Sequence, residues 1–90
     1  MILDFHNVYL IISEKDGFYK TYVGYAKNVR KRILAHNNNK GAKSTRGRTW
    51  KLAYKKKFKS KKLALMYEYK LKKNRGLRSI IKEKYINSHE

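Results

Sequence analysis

Residues 7–14, NVYLIISE, are mostly β-branched or apolar, and the turn signal KDG follows at 15–17. A second β-prone run, FYKTYVGY, occupies 18–25. Two such runs joined by a short glycine-containing turn read as a β-hairpin. The chain has 90 residues, length for one domain only. A domain of that size buries only about 60–70% of its unfolded surface, so its core must be compact and local. Gly24, inside the second run, predicts a bulge or a close backbone approach.

The rest of the pattern supplies what packs on the hairpin. Asn28 is placed to cap a helix over 29–38, with Val29 and Ile33 as an i, i+4 apolar pair and Leu34 beside them. Arg32 and His36 are also four apart, one step round, and should line the border between the buried and exposed faces. Residues 39–50, NKGAKSTRGRTW, read as a loop, with Trp50 packed beneath it. Residues 51–58, KLAYKKKF, predict a third strand. Ser60 caps a helix over 61–73, with Leu63, Tyr67 and Leu71 as its stripe, Ala64 and Met66 beside it, and Glu68 at its edge. Gly76 breaks the pattern before a last helix over 77–86 carrying Leu77, Ile80, Ile81 and Tyr85. The order β-β-α-β-α-α describes a small α+β fold: one domain over 1–90, core about 7–86, with a three-stranded antiparallel sheet flanked by helices.

Composition narrows the function. Cysteine is absent, which excludes disulfides, a thiol nucleophile and Cys-based zinc sites and points to an intracellular setting. The apolar run from Val8 to Ile12 is far too short to span a bilayer, and Asp4 precedes it where a signal peptide would be basic, so the expectation is a cytoplasmic protein with no membrane partner. The net charge is +18, from 24 Lys and Arg against 6 Asp and Glu. Such a field attracts polyanions, and nucleic acid is favoured over anionic membrane. Between Asp16 and Glu83 the one carboxylate is Glu68, in a stretch holding all the Lys and Arg except Lys15 and Lys84. A lone carboxylate there is either a structural ion-pair partner or a metal ligand. Lys40, Lys43, Arg46 and Arg48, in the glycine-containing loop, suit tracking a DNA backbone on a flexible segment.

Tyr9 and Tyr22 stand in the first two strands, and adjacent antiparallel strands can bring both to one face. With Arg32 and His36 from the next helix and Glu68 from a later one, they make a kit for cutting a phosphodiester. A carboxylate can hold one Mg²⁺ or Mn²⁺, which needs oxygen ligands and keeps several waters. The metal polarises the phosphate, and an arginine forks onto its non-bridging oxygens. A tyrosine or histidine can take a proton from water.

These residues resemble the GIY-YIG endonuclease family, whose two tripeptides correspond to NVY (7–9) and YVG (22–24). The resemblance assigns the family's arginine to Arg32, its histidine to His36 and its metal-binding glutamate to Glu68, in ALMYEYKLKK. It implies a base at Tyr9 or His36, with Tyr22 orienting water or phosphate. Gly24 is either the bulge or an opening through which phosphate meets the backbone, or both. Asn74 and Asn87 are candidates for a late asparagine that many members carry, and Asn7 stands where the family has its first glycine. The match is closest to short stand-alone bacterial domains and to the nuclease domain of the eukaryotic flap- and junction-cutting subunit. The latter carries a cysteine-rich zinc module that a cysteine-free chain lacks. Implied are one divalent cation, hydrolysis leaving a 5′-phosphate and a 3′-hydroxyl, a substrate of nicked, flapped or branched DNA, and a place at the nucleoid. The alternative is a basic nucleic-acid-binding module, or a nucleoid or ribosome accessory protein, without catalysis.

Overall fold

The computed structural model describes residues 5–89. Strands β1 (His6–Lys15) and β2 (Phe18–Ala26) form the hairpin, followed by helix α1 (Val29–Asn37). A loop with a short 3₁₀ turn (Lys43–Thr45) leads to β3 (Lys51–Phe58), α2 (Lys61–Lys73) and α3 (Arg75–Ser88). The α+β order is the one read from the sequence. No helix among the described residues is long and apolar enough to cross a membrane.

The sheet order is β2-β1-β3, antiparallel throughout. The first strand therefore lies in the centre and is covered on both faces, which explains why Val8 to Ile12 is a continuous apolar run rather than an alternating one. Val8 and Leu10 join Val23, Ala64, Leu71 and Ile81 beneath α2 and α3. Tyr9 and Ile11 join Val29 and Trp50 on the other face, beneath α1 and the loop. Asp16 (φ 55°) and Gly17 (φ 83°) both adopt left-handed backbone, as a tight two-residue hairpin turn requires.

Several local expectations change. The pairing of β1 with β2 is unbroken through Gly24, so there is no bulge there; the irregularity lies between Leu10 and Ile11 on the β3 side. Helix α3 starts two residues before the predicted 77, because Asn74 both closes α2 and caps α3 by accepting from the Leu77 N–H at 3.0 Å. Gly76 then sits in the first turn, where its backbone N–H has no intrahelical partner to lose. This capping is the role the structure shows for Asn74, and Asn87 is an exposed residue near the end of α3. Leu63 and Ile80, expected in the apolar stripes, are more than half exposed, and Ala64 and Ile81 take the buried positions.

Candidate active site

In the hairpin register Tyr9 faces Gly24 and Tyr22 faces Ile11. Directly paired residues share a face, so both tyrosines lie on the α1 side of the sheet. A Cβ at residue 24 would fall inside the Tyr9 phenol. The glycine is there to seat the tyrosine ring, and that ring fills the space expected to admit phosphate.

Helix α1 begins at Asn28, whose side chain accepts from the Lys31 N–H at 3.1 Å. His36 comes seven residues after Val29, two helical turns, and returns to the same face. It is therefore fully buried rather than on the border. Arg32 lies on the exposed side, yet its guanidinium is near enough to act on both Tyr9 and His36. Arg30 lines a separate cleft with Phe5, Asn7 and Lys55.

The loop closes over the imidazole. Asn37 bonds both backbone groups of Trp50, accepting from its N–H at 2.6 Å and donating to its C=O at 3.1 Å. Trp50 is buried and donates its indole N–H to the Thr45 carbonyl at 2.8 Å. Asn39, in left-handed backbone, accepts from the Gly47 N–H at 2.8 Å. Gly41 passes so close to His36 that a Cβ there would overlap the ring. The segment read as a flexible arm is thus stapled to the end of α1.

Three buried side chains form a chain of hydrogen bonds. Tyr9 Oη lies 2.8 Å from His36 Nε2, and His36 Nδ1 lies 2.9 Å from Thr45 Oγ1. Thr45 Oγ1 also lies 2.8 Å from the Ala42 carbonyl oxygen. A hydroxyl has one proton, and a carbonyl can only accept, so the Thr45 proton goes to Ala42. Thr45 must then accept from His36 Nδ1–H. That leaves the lone pair on Nε2, which accepts the Tyr9 O–H. The network dictates the tautomer and aims a neutral imidazole's basic nitrogen at the phenol. Burial, and then the positive charge of Arg32, hold the His36 pKa below its ordinary 6.5. Burial pushes the Tyr9 phenol up to about 12, while Arg32 pulls it back by hydrogen bonding and charge and the Tyr22 and Glu68 groups raise it slightly. The Tyr22 ring stands edge-on to the imidazole, with centroids 5.1 Å apart.

Glu68 reaches this site from α2, on the far side of the sheet, close enough for its charge to act on Tyr9. Its ion-pair partner is Lys72, at 3.3 Å on the same helix, with a half-exposed side chain. The Glu68 side chain is 17% exposed, and an i, i+4 pair whose cation stands half in solvent contributes about 0.3–0.5 kcal/mol. No group of three or more His, Asp or Glu that could hold a metal occurs among the described residues. A single, partly exposed carboxylate does fit a hard cation that retains most of its waters, and does not fit zinc, which takes three or four protein ligands.

The cations expected along the loop divide. Lys40, Lys43 and Arg46 are exposed. Arg48 is half-buried and tied to β1, donating from Nε to Ser13 Oγ at 3.0 Å and from Nη2 to the Ser13 carbonyl at 3.4 Å. It clasps the loop to the sheet instead of hanging free. Sequence reasoning missed Thr45 and Gly41. Thr45 is one of several small polar residues in its loop and carries no local signal, and the one sign of Gly41 was a glycine soon after a histidine.

The GIY-YIG catalytic domain family matches residues 5–89. The chain belongs to the GIY-YIG family. A UPF0213 protein of Staphylococcus saprophyticus is 45% identical over 71 residues, covering 78% of this chain and 83% of the relative. One from Streptococcus pneumoniae is 37% identical over 87 residues, covering 94% and 83%. Another, from Halobacterium salinarum, is 44% identical over 68 residues, covering 74% and 84%. No solved structure matches the chain. This GIY-YIG domain therefore has short relatives and a nuclease-family fold. The tyrosines of both family tripeptides share one face of its sheet.

Proposed function

We propose that this GIY-YIG protein is a metal-dependent endonuclease that hydrolyses DNA phosphodiesters, acting at the nucleoid on nicked, flapped or branched DNA. The observation that carries the reading is the Tyr9–His36–Thr45 chain, with the basic nitrogen of His36 aimed at Tyr9 and Arg32 beside both. A structural tyrosine would not need an imidazole of fixed tautomer behind it.

On this reading water attacks phosphorus in line. Its proton passes to Tyr9 Oη as the phenolic proton passes to His36 Nε2, so no free tyrosinate has to exist despite a pKa of about 12. The new P–O bond forms as the bond to the 3′-oxygen breaks, leaving a 5′-phosphate and a 3′-oxygen that takes a proton from solvent. Arg32 binds the non-bridging oxygens, where charge builds. Tyr22, beside the imidazole, orients the water or the phosphate. Glu68 would hold the divalent cation, Mg²⁺ or Mn²⁺, which when bound polarises the phosphate and stabilises the leaving oxygen. Lys40, Lys43 and Arg46 contact neighbouring phosphates, which position the substrate without reading its sequence. Base readout needs an element inserted into a groove, and the described residues form only a sheet and its packed helices. This favours selection by DNA shape.

The test is a cleavage assay with Mg²⁺ or Mn²⁺ on duplex, flap and junction substrates, comparing wild type with Glu68→Gln. The substitution keeps size but removes the charge a hard cation needs. Cleavage should collapse, while melting temperature holds and metal-free DNA affinity holds or rises. A folded Glu68→Gln protein that cuts at the wild-type rate ends the assignment.

A further inference from the structure

A strongly charged cleft lies outside the active-site reading. A cleft of about 140 Å³ between β2 and α3 is lined by Thr21, Arg75, Arg78, Ser79 and Lys82. The four α3 residues recur at i, i+3, i+4 and i+7, so they form one stripe of the helix. Every lining side chain can donate a hydrogen bond, and among the described residues no carboxylate lines the cleft or pairs with any of its three cations. Lys82 is half-buried there, with no counter-ion among the described residues. Arg78 is also half-buried and is held in place, its Nη1 donating to the Leu71 carbonyl at 3.0 Å and to that of Lys72. Three like charges gathered in one cleft repel one another, and an anion seated among them would be attracted by all three.

The position selects the anion. Thr21 precedes Tyr22 in β2, and successive strand residues point to opposite faces. Because β2 is an edge strand, the cleft and Tyr22 flank the same sheet edge from its two sides. The carbonyls that pin Arg78 belong to residues 71 and 72, one turn beyond Glu68 on α2. A strand whose scissile phosphate lies at Arg32 and Glu68 can pass round this edge. Building on the nucleic-acid reading above, we propose that the Arg75–Arg78–Lys82 cleft holds a second backbone phosphodiester of the bound nucleic acid, away from the scissile one. A fixed guanidinium with hydroxyls beside it suits phosphate oxygens.

The experiment measures binding of labelled duplex and junction DNA with metal chelated, across a salt series. Arg75→Gln/Lys82→Gln is compared with Lys56→Gln/Lys59→Gln, which removes the same charge at the β3 edge. Losing one phosphate contact should cost about tenfold in affinity near 0.1 M salt and make the slope of log affinity against log salt shallower by about 1. The β3 pair should lose less than about twofold with the slope unchanged, because for DNA it alters a screened long-range field, while the contacts of Lys56 with the Phe58 and Tyr67 rings are checked by melting temperature. Inorganic phosphate provides a second arm: the backbone amides of Thr21 and Ser79 should shift saturably by NMR in wild type and not in the cleft variant. Equal losses from the two pairs, or no shift at Thr21 and Ser79, would overturn the proposal. Binding is read without cleavage, so a protein that binds through the cleft yet never cuts sinks the nuclease reading and leaves this one standing.

Discussion

The two faces of the sheet are built from different materials. Beneath α2 and α3 the buried cluster is aliphatic: Val8, Leu10, Val23, Ala64, Leu71 and Ile81. Beneath α1 and the loop, Tyr9, Ile11, Val29 and Trp50 share the interior with Asn7, Ser13, His36 and Thr45, which are all the buried polar residues among those described. A buried polar group costs free energy unless it is hydrogen-bonded. The aliphatic side can therefore carry the fold, while the polar side spends part of its stability on holding a proton acceptor in one orientation.

The largest break in that comparison should come from α1. Arg32→Ala should lower cleavage by about 10²–10³-fold, the range for removing one preorganised donor to developing charge. Arg30→Ala, in a separate cleft, should weaken DNA binding only slightly. Equal losses of turnover would make α1 a generic basic strip.

A matched pair separates the faces. Leu71→Ala on the aliphatic side should cost about 2–5 kcal/mol of stability while the folded fraction cuts normally. Tyr9→Phe should lower cleavage by about 10²-fold or more with a smaller loss of stability, about 1–3 kcal/mol, because the buried His36 Nε2 loses its donor. Chemical denaturation and single-turnover cleavage on the same preparations check both.

Thr45 tests whether the polar network acts on the chemistry or only on the fold. Thr45→Val leaves His36 Nδ1–H without an acceptor, at a cost of about 1–3 kcal/mol. Cleavage per folded molecule should drop by about tenfold, Thr45→Ser should restore it, and ¹⁵N NMR of the ring should show Nδ1 protonated in wild type and mixed tautomers in the valine variant. A valine variant with the wild-type tautomer and rate would reduce Thr45 to packing.

The smallest effect is in pH. With its folded pKa below 6.5, His36 stays a neutral base at neutral pH, so cleavage should be flat above 6.5 and fall only on acidification beneath it. Stability follows with the same sign: the unfolded histidine takes its proton first as pH drops, so stability present above 6.5 is lost as pH falls from there through the folded pKa. Cleavage that instead rises on acidification would place a protonated His36 in the mechanism.

Local rules made much of this protein legible in its sequence. The hairpin and its turn, the caps Asn28 and Ser60, three helices and three strands all follow from period, capping and turn chemistry that act over a few residues. Arg32 and Glu68 could be singled out because one stands beside an apolar stripe and the other is an isolated carboxylate in a basic stretch. Only tertiary structure decided that β3 returns beside β1 and leaves β2 as an edge, since strand order is invisible to alternation. It also decided that His36 is buried, that Arg48 is a clasp, and that Thr45 sets the imidazole's tautomer. Those contacts join residues 27, 35 and 9 positions apart in the chain. Their hydrogen-bond directions depend on which single proton goes to which acceptor, and that is settled only when the loop has closed.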